Sequence, residues 1–483
     1  MDMLRVGGSS IVDGQGRKVR LRGFGVGGWM NSENFINGYP GFESGLRQAL
    51  ADQLGAERAT FLWERMLDNF LAEPDIASMK ELGCTVVRLP FNYRHFESDS
   101  EPGKWLEPGF KRLDTAIEWC RRHGLYAILD MHAVPGWQDP DWHSDHYGRL
   151  TLIWSHKQFQ DRFVALWEEF ARRYRGNPVV AGYNVMNEPV TGVPYGFFGY
   201  PYRPDWEPLN RLNRRVVEAI RRIDSEHIIY LEGDRFSTLF SGLEAPFADN
   251  LVYSSHNYVR ACLGMGPYPG ECGASRAQGH SNRAFWDRAK MKADFEQQEG
   301  TVFCRRHGVP LWVGEFGGAF DSAESGYRLK ALDDQLSVFE EAGIDWTIWT
   351  WKDMGMMGLA TVDTESDYVR AVAPVLAAKR EMGTDSWVPN QPPTPVQRKM
   401  SELSQLILSR IPETGADRAL FRFYAEQSLL GNFAAAFMHP VYASCFKGMD
   451  EAAIDRTMQS FALDRCRING GLRLVLQKHL AKA

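Results

Sequence analysis

The chain has 483 residues, 44% of them hydrophobic and 24% charged, and its formal net charge at pH 7 is −6. These values indicate a globular protein with room for one large and one smaller domain. The mildly acidic balance argues against nucleic acid or an anionic membrane as the main partner. No run of 18 apolar residues occurs, so no membrane-spanning helix is expected.

The N-terminal residues lack the basic start and apolar stretch of a signal peptide. The seven cysteines are scattered along the chain, and no two of them form a C-x-x-C pair. Both features favour a reduced, cytoplasmic location.

The first predicted element is a β-hairpin within Leu4–Arg22, with its turn around Asp13–Gly16, which we expect to cap the bottom of a barrel. Eight apolar or β-branched runs follow as predicted strands and alternate with amphipathic segments. The predicted strands are Val19–Gly25, Thr85–Pro90, Tyr126–Met131, Val180–Asn187, Ile228–Glu232, Leu251–His256, Leu311–Phe316 and Trp346–Trp351. The predicted helices, some ending at a C-cap glycine, include Phe110–His123, Gln158–Arg173, Leu209–Asp224 and Leu329–Ala342. Eight β-then-α units predict a (β/α)8 barrel.

An open, doubly wound sheet is the alternative architecture, because Gly23–Gly28 matches the G-x-G-x-x-G pattern of dinucleotide-binding folds. That reading requires a helix to begin at once, so that its N-terminus can hold a pyrophosphate. Here the chain continues with loop residues instead. We therefore interpret the glycines as allowing close passage of the backbone past a pocket, and predict no cofactor.

The loops that follow the first, third and sixth strands are long, and at this end of a barrel they are expected to shape the substrate site. Beyond the barrel, proline-rich residues 384–395 are predicted as an extended linker. Residues 396–483 show helical periodicity and no strand signals. The predicted organisation is a catalytic domain over 1–383, the linker, and a helical C-terminal extension over 396–483.

Two glutamates end predicted strands: Glu188 follows strand four before Pro189, and Glu315 ends strand seven. The C-terminal ends of strands four and seven can face each other across a barrel mouth, the geometry of two carboxylates flanking a glycosidic bond. Taken alone, either glutamate could be a solvated strand-end residue or part of a structural ion pair.

Further polar side chains at strand ends favour the catalytic interpretation. Arg88 lies within an apolar strand and needs a buried partner, for which a carboxylate nucleophile is suited. The others, at the ends of strands three, four, six and eight, are His132, Asn187, His256, Tyr258 and Trp349.

This set resembles the residue signature of glycoside hydrolase family 5 over roughly residues 1–380. The segments Leu21–Trp29 and Val87–Tyr93 are most similar to its exo-β-1,3-glucanase-like branch. The resemblance implies a retaining enzyme in which Glu188 is the acid/base and Glu315 the nucleophile. It also implies a raised pKa for Glu188 and a depressed one for Glu315.

The same resemblance implies roles for the remaining residues. Arg88 and Tyr258 are expected to hold Glu315, Asn187 to hydrogen-bond the sugar 2-hydroxyl, and His256 to tune Glu188. His132 and His256 would line the −1 subsite, and Trp349 would lie under its sugar. Aromatic residues that could form subsite walls are Trp29, Trp137, Trp142, Tyr195, Phe197, Phe198, Tyr200 and Trp206.

The predicted substrate is an oligosaccharide or small glycoside, and exo-action on β-glucosides is the first expectation, by resemblance. β-Mannosides and furanosides (β-galactofuranoside or α-arabinofuranoside) stay open, as does transglycosylation. A sugar-binding barrel without catalysis is the alternative from another class.

A catalytic metal is a further alternative, because Asp139, Asp141, His143, Asp145 and His146 cluster within eight residues. A metal site would require three or four of them to converge at ligand distances. Their irregular spacing, next to Trp137 and Trp142, fits a sugar-contacting rim better, and no metal is predicted.

Overall fold

The computed structural model describes residues 1–146, 148–192, 202–273, 284–321, 324–385, 393–413, 418, 421 and 425–481. Eight parallel strands form a closed barrel in chain order, and the last pairs with the first through Trp349 and Gly25. We label them β1 to β8: Arg22–Gly25, Val86–Asn92, Tyr126–Ala133, Val180–Asn184, Ile228–Glu232, Leu251–His256, Leu311–Glu315 and Asp345–Trp349. The predicted (β/α)8 barrel is confirmed.

The barrel strands are apolar runs because both of their faces are covered. All seven residues of β2 are buried, and the strand pairs with β1 on one side and β3 on the other. Such strands lack the alternation of a half-exposed sheet, and this made them readable in the sequence as short apolar stretches. The predicted and observed bounds of β5 and β6 agree, and those of the other strands differ by at most three residues.

Helices follow the strands and pack around the barrel. The helices of eight or more residues in this part are Glu43–Leu54, Ala56–Phe70, Glu73–Leu82, Glu107–His123, Lys157–Tyr174, Trp206–Arg221, Arg288–Gln297, Glu299–His307, Ser325–Ala342 and Asp367–Met382. Shorter helical turns are Asn34–Asn37, Tyr93–His95, Trp142–Ser144, Leu152–Trp154, Asp234–Ser237 and Arg260–Leu263. Gly124 and Gly343 adopt the left-handed C-cap conformation predicted for them.

An N-terminal hairpin closes the barrel at the end where the strands begin. Its strands, Arg5–Gly7 and Ser10–Val12, are antiparallel, with Gly7 opposite Ser10. This pair of strands turns at residues 8–9. The chain turns again at Asp13–Gly16, where Val12 pairs antiparallel with Lys18, so the predicted turn is present and the turn at residues 8–9 was not predicted. Leu4 and Ile11 pack on apolar side chains from the starts of the barrel strands. This apolar layer covers the bottom of the barrel and leaves the opposite end for a site.

The C-terminal region is helical but also supplies a strand. Its helical segments are Pro395–Arg410, Gln427–Ala434, Ala435–Phe437, His439–Ser444, Glu451–Met458, Gln459–Phe461, Leu463–Arg465 and Gly470–Leu480. The expectation of no strand was wrong, because Cys466–Ile468 pairs antiparallel with Ala360–Val362. Three residues are too few for a periodic signal.

Buried polar contacts join the C-terminal region to the barrel. The Lys352 ammonium, fully buried, donates to the Phe461 carbonyl at 2.7 Å. The Arg22 guanidinium donates to the His479 carbonyl at 2.9 Å. The predicted domain limits stay a prediction, and residues 386–392 of the predicted linker lie outside the described residues.

Two further observations concern the chain as a whole. All seven cysteines are free thiols. Among the described residues, we find no helix with the length and apolar character required to cross a membrane.

Candidate active site

The structure brings the two predicted carboxylates together at the C-terminal end of the barrel. Glu188 lies four residues beyond the end of β4, with φ at +46°, and Glu315 is the last residue of β7. One oxygen of each carboxylate and one ring nitrogen of His256 all lie within 4.8 Å of one another. A left-handed φ is uncommon for glutamate and is found where a functional site fixes the backbone. Two carboxylates at this spacing can flank one bond of a bound substrate.

The side chain of Glu315 is held at both oxygens. Arg88 donates to Oε1, and the Tyr258 hydroxyl donates to Oε2 over 3.0 Å. His256 Nδ1 lies 3.6 Å from the same Oε2. The carboxylate is 6% exposed and therefore depends on these contacts for its charge compensation. This arrangement fixes the position of the Glu315 carboxylate beside a guanidinium and a phenol.

Arg88 is the centre of a buried charge network. Its side chain is fully buried, and NH2 lies 3.0 Å from Asp130 Oδ2 and 3.5 Å from Glu232 Oε1. The same nitrogen donates to Asn187 Oδ1 over 2.7 Å. Burial works against the charged guanidinium, but the surrounding carboxylates outweigh it and raise the pKa of Arg88. For the Asp130 carboxyl group the effect of burial dominates, and burial raises its pKa to about 7.

The carboxylate of Glu188 lies between two imidazoles. His256 Nδ1 is 2.6 Å from Oε1, and His143 Nε2 is 3.2 Å from Oε2. The Glu188 backbone N–H donates to Glu232 Oε2 over 2.8 Å. Burial raises the pKa of Glu188, but the two imidazolium charges outweigh burial and lower it below its ordinary value. The raised pKa expected for Glu188 is therefore wrong, because the positive charges of His256 and His143 together outweigh burial.

The floor of the site is an aromatic stack over glycines. The rings of His132 and Trp349 are parallel within 5°, with centroids 5.2 Å apart. His132 Nδ1 is 2.8 Å from Asp130 Oδ2, and Nε2 is 3.3 Å from the Asn187 amide nitrogen. Burial lowers the pKa of His132 to about 3, so the ring is neutral and donates at Nδ1. The orientation of Asn187 is thereby fixed between Arg88 and His132.

The glycine-rich segment after β1 makes room for this stack. A Cβ at Gly25 would lie 2.6 Å from the Trp349 ring, and one at Gly27 would lie 2.2 Å from it. No described helix begins directly after the motif, since the next one starts at Asn34. The segment is thus backbone that lets an indole lie flat against it, as the close-passage interpretation predicts.

Replacing Gly27 with Ala is expected to displace the Trp349 ring and to lower both stability and kcat/KM. Overpacking of this kind costs about 1–3 kcal/mol. Thermal unfolding measures the first effect and steady-state kinetics the second. Gly326→Ala is the matched control, because nothing lies within 4 Å of a Cβ built at that helical glycine. Wild-type values for Gly27→Ala would show that the indole does not depend on this glycine.

The remaining predicted aromatic residues have different surroundings. Trp29 is 1% exposed and packs in the apolar core. The Trp137 indole donates to the Asp145 carbonyl over 3.2 Å, and its ring packs on His146. Trp206 packs against Gly242 outside the strand-end cluster. Substrate contacts of Trp29 and Trp137 stay predictions, and Tyr195, Phe197, Phe198 and Tyr200 lie outside the described residues.

The acidic and histidine residues of the loop after β3 are occupied by protein partners. His143 Nε2 is 2.9 Å from Asp139 Oδ2, and Arg149 donates to Asp141 over 3.1 Å. Asp145 accepts from Asn92 over 2.8 Å, and a ring nitrogen of His146 is 2.9 Å from the Asp139 carbonyl. These contacts point in different directions, so the loop residues form a rim held by ion pairs and hydrogen bonds.

Three residues of the site were not predicted for it. Glu232 ends β5 at the same level as the other strand-end carboxylates, and that position was a usable signal. Glu33, in the loop after β1, is buried and accepts from the Trp142 indole over 3.2 Å. Burial raises the pKa of Glu33 to about 8. The sequence indicates only a position in the rim for His143, because loop residues carry no periodic pattern from which their contacts could be predicted.

The barrel brings two glutamates together at its C-terminal mouth, which is the arrangement with which glycoside hydrolases cleave a glycosidic bond. A family model described as cellulase (glycosyl hydrolase family 5) matches residues 55–355. The chain belongs to glycoside hydrolase family 5, and the predicted membership is confirmed.

Two relatives and one solved structure illustrate the similarity. A β-xylosidase of Phanerodontia chrysosporium is 35% identical, over 99% of this chain and 98% of its own length. A probable glucan 1,3-beta-glucosidase A of Emericella nidulans is 25% identical, over 70% of this chain and 87% of its own. The crystal structure of an endogalactoceramidase matches with a TM-score of 0.52 at 19% identity, over 73% of this chain and 75% of that one, which supports the fold alone.

Proposed function

We propose that the protein is a retaining β-glycosidase in which Glu188 is the acid/base and Glu315 the nucleophile. The observation that carries this proposal is the pair of carboxylate oxygens within 4.8 Å of each other at the barrel mouth. Retaining enzymes hold their carboxyl groups about 5–5.5 Å apart, whereas inverting enzymes need about 6.5–9.5 Å to admit a water molecule.

The different partners of the two glutamates fit these two roles. Glu315 has a guanidinium on one oxygen and a phenol on the other, which hold the carboxylate in position for attack. Glu188 has imidazoles on both oxygens, which can exchange a proton with it. In the first step a Glu315 oxygen bonds to the anomeric carbon, the bond from that carbon to the leaving oxygen breaks, and the leaving oxygen takes the Glu188 proton.

In the second step a water oxygen bonds to the anomeric carbon and Glu315 is released. The proton of that water passes to Glu188, which restores the starting state. Arg88 and His132 fix the orientation of Asn187. Its proposed role is to hydrogen-bond the sugar 2-hydroxyl, an interaction that strengthens in an oxocarbenium-like transition state.

We propose terminal β-linked xylose or glucose as the sugar that the enzyme releases. The β-xylosidase relative supports the xyloside, because it aligns over nearly the whole of both chains. The glucan 1,3-beta-glucosidase relative supports the glucoside, which the residue signature also favours. Water is the proposed acceptor of the glycosyl group.

A panel of nitrophenyl glycosides tests the proposal. We expect turnover of the β-xyloside or β-glucoside above that of the β-mannoside, β-galactofuranoside and α-arabinofuranoside. Proton NMR of the product, recorded before mutarotation, is expected to show the β-anomer first. The α-anomer as first product would contradict the retaining mechanism, and no turnover of any member would contradict the enzymatic role.

A further inference from the structure

The loop after β3 delivers a second imidazole to the proposed acid/base. His143 lies in the helical turn Trp142–Ser144, and its Nε2 is 2.9 Å from Asp139 Oδ2 and 3.2 Å from Glu188 Oε2. The Asp139 side chain is fully buried. Its main-chain carbonyl accepts from the Ser144 hydroxyl over 2.9 Å, and its Oδ1 accepts from the backbone N–H of Asp141 over 2.8 Å. The loop therefore holds the histidine through a carboxylate that cannot move freely.

We propose that His143, held by Asp139, is a positioning residue for Glu188 that keeps its second oxygen in place and favours the carboxylate form required in the second step. The proposal rests on the acid/base role proposed for Glu188. It adds an Asp–His pair from a loop to the strand-end residues of the site. His143 acts through Glu188 and needs no contact with the reacting atoms.

The charged and titratable groups that face His143 come from four parts of the barrel. Besides Asp139 and Glu188, they are Glu33 from the loop after β1, His132 from β3, and His146 from its own loop. Burial works against the imidazolium, but Asp139 and Glu188 outweigh it and raise the pKa of His143 well above its ordinary value. Burial lowers the pKa of His146 to about 3, so that ring is neutral. The surroundings of His143 therefore favour its cationic form.

A cationic His143 has opposite consequences for the two steps. In the second step it stabilises the Glu188 carboxylate that takes the water proton. In the first step Glu188 must carry a proton, and His143 and His256 are the adjacent sources, at 3.2 and 2.6 Å. The three groups share protons and titrate as one cluster. Glu188 can thus be an acid although its own pKa is lowered, because one proton transfer over a single contact places the proton on it.

The test measures how kcat depends on pH, with a dinitrophenyl glycoside as substrate, because the second step limits turnover of such a substrate. A pre-steady-state burst verifies that condition. The pKa of interest is that of the acidic limb of this pH profile. Removing the positive charge beside Glu188 in His143→Gln is expected to raise the apparent pKa of this limb by about one unit or more. Asp139→Asn is expected to shift it in the same direction, because it removes the charge that keeps His143 protonated. His156→Gln is the matched control, because this histidine is exposed directly before the helix Lys157–Tyr174, and it should leave the limb where it is.

The outcomes separate this inference from the proposed function. Glu188→Ala with azide should recover turnover as a β-glycosyl azide, and failure of that rescue would contradict the acid/base role itself. If the rescue succeeds but the limb of His143→Gln coincides with wild type, the inference is overturned. If His143→Gln does not fold, as judged by circular dichroism, the position of the limb in Asp139→Asn decides in the same way.

Discussion

Replacing Glu315 with Ala is expected to reduce turnover of an activated aryl β-glycoside by about 10⁴-fold or more. The reason is that the variant has no group that can form the glycosyl-enzyme, whereas Glu188 keeps both of its imidazole contacts. The cavity left by the truncation admits a small anion, so azide is expected to restore part of the turnover. The measurement is steady-state release of the phenol with and without azide.

The stereochemistry of the rescued product makes this experiment decisive. Azide in place of the nucleophile attacks from the face of Glu315 and gives an α-glycosyl azide, opposite in configuration to the β-azide expected from Glu188→Ala. Glu341→Ala serves as the control. Glu341 is an exposed glutamate paired with Lys292, near the end of the helix Ser325–Ala342 that leads into the start of β8. Wild-type turnover by Glu315→Ala would remove that residue from the nucleophile role.

The fold was readable from the sequence because strands buried on both faces are apolar and are followed by abrupt polar residues. The same transitions located Glu188 and Glu315, since the C-terminal ends of parallel strands share one face of a barrel. The pairing of Arg88 with Glu315 followed from the cost of burying a guanidinium alone, and the structure shows that contact. These inferences depend on local pattern and elementary electrostatics.

Other parts of the site depend on tertiary structure that no local pattern encodes. Glu33 and His143 reach the site from loops, and the path of a loop is not periodic. The lowered pKa of Glu188 follows from the positive charges of His256 and His143 together, and the sequence pattern placed only the first of these two rings on the carboxylate. Glu232 is a different case, because its strand was predicted with the observed bounds and only its inward contacts were missed.

Replacing Arg88 with Met is expected to lower the free energy of unfolding by about 3–5 kcal/mol at neutral pH. Methionine keeps the length and apolar stem of the side chain but leaves Asp130, Glu232 and Glu315 in a buried cluster without their shared cation. Turnover should fall by about 10²-fold or more, since the nucleophile loses the donor that fixes its position. Chemical denaturation measures the first effect and steady-state kinetics the second.

The pH dependence distinguishes a charge effect from a simple packing defect. Burial raises the pKa of Asp130 to about 7 even with Arg88 present, so the folded protein binds a proton that the unfolded chain releases at its ordinary pKa. The stability that this proton contributes is fully present below the pKa of Asp130 in the unfolded chain, and it is lost as the pH rises through about 7. Without Arg88 the pKa of Asp130 in the folded protein rises further, so this stability is lost over a range that extends to higher pH.

The deficit of Arg88→Met relative to wild type is therefore expected to be smaller at pH 5 than at pH 8. A packing defect would give the same deficit at both pH values. Arg211→Met is the control, because the ion pair of Arg211 with Glu207 is exposed and contributes about 0–1 kcal/mol. A pH-independent deficit for Arg88→Met would show that the guanidinium fills space at the centre of the barrel but does not compensate the charge of the Asp130 carboxylate beside it.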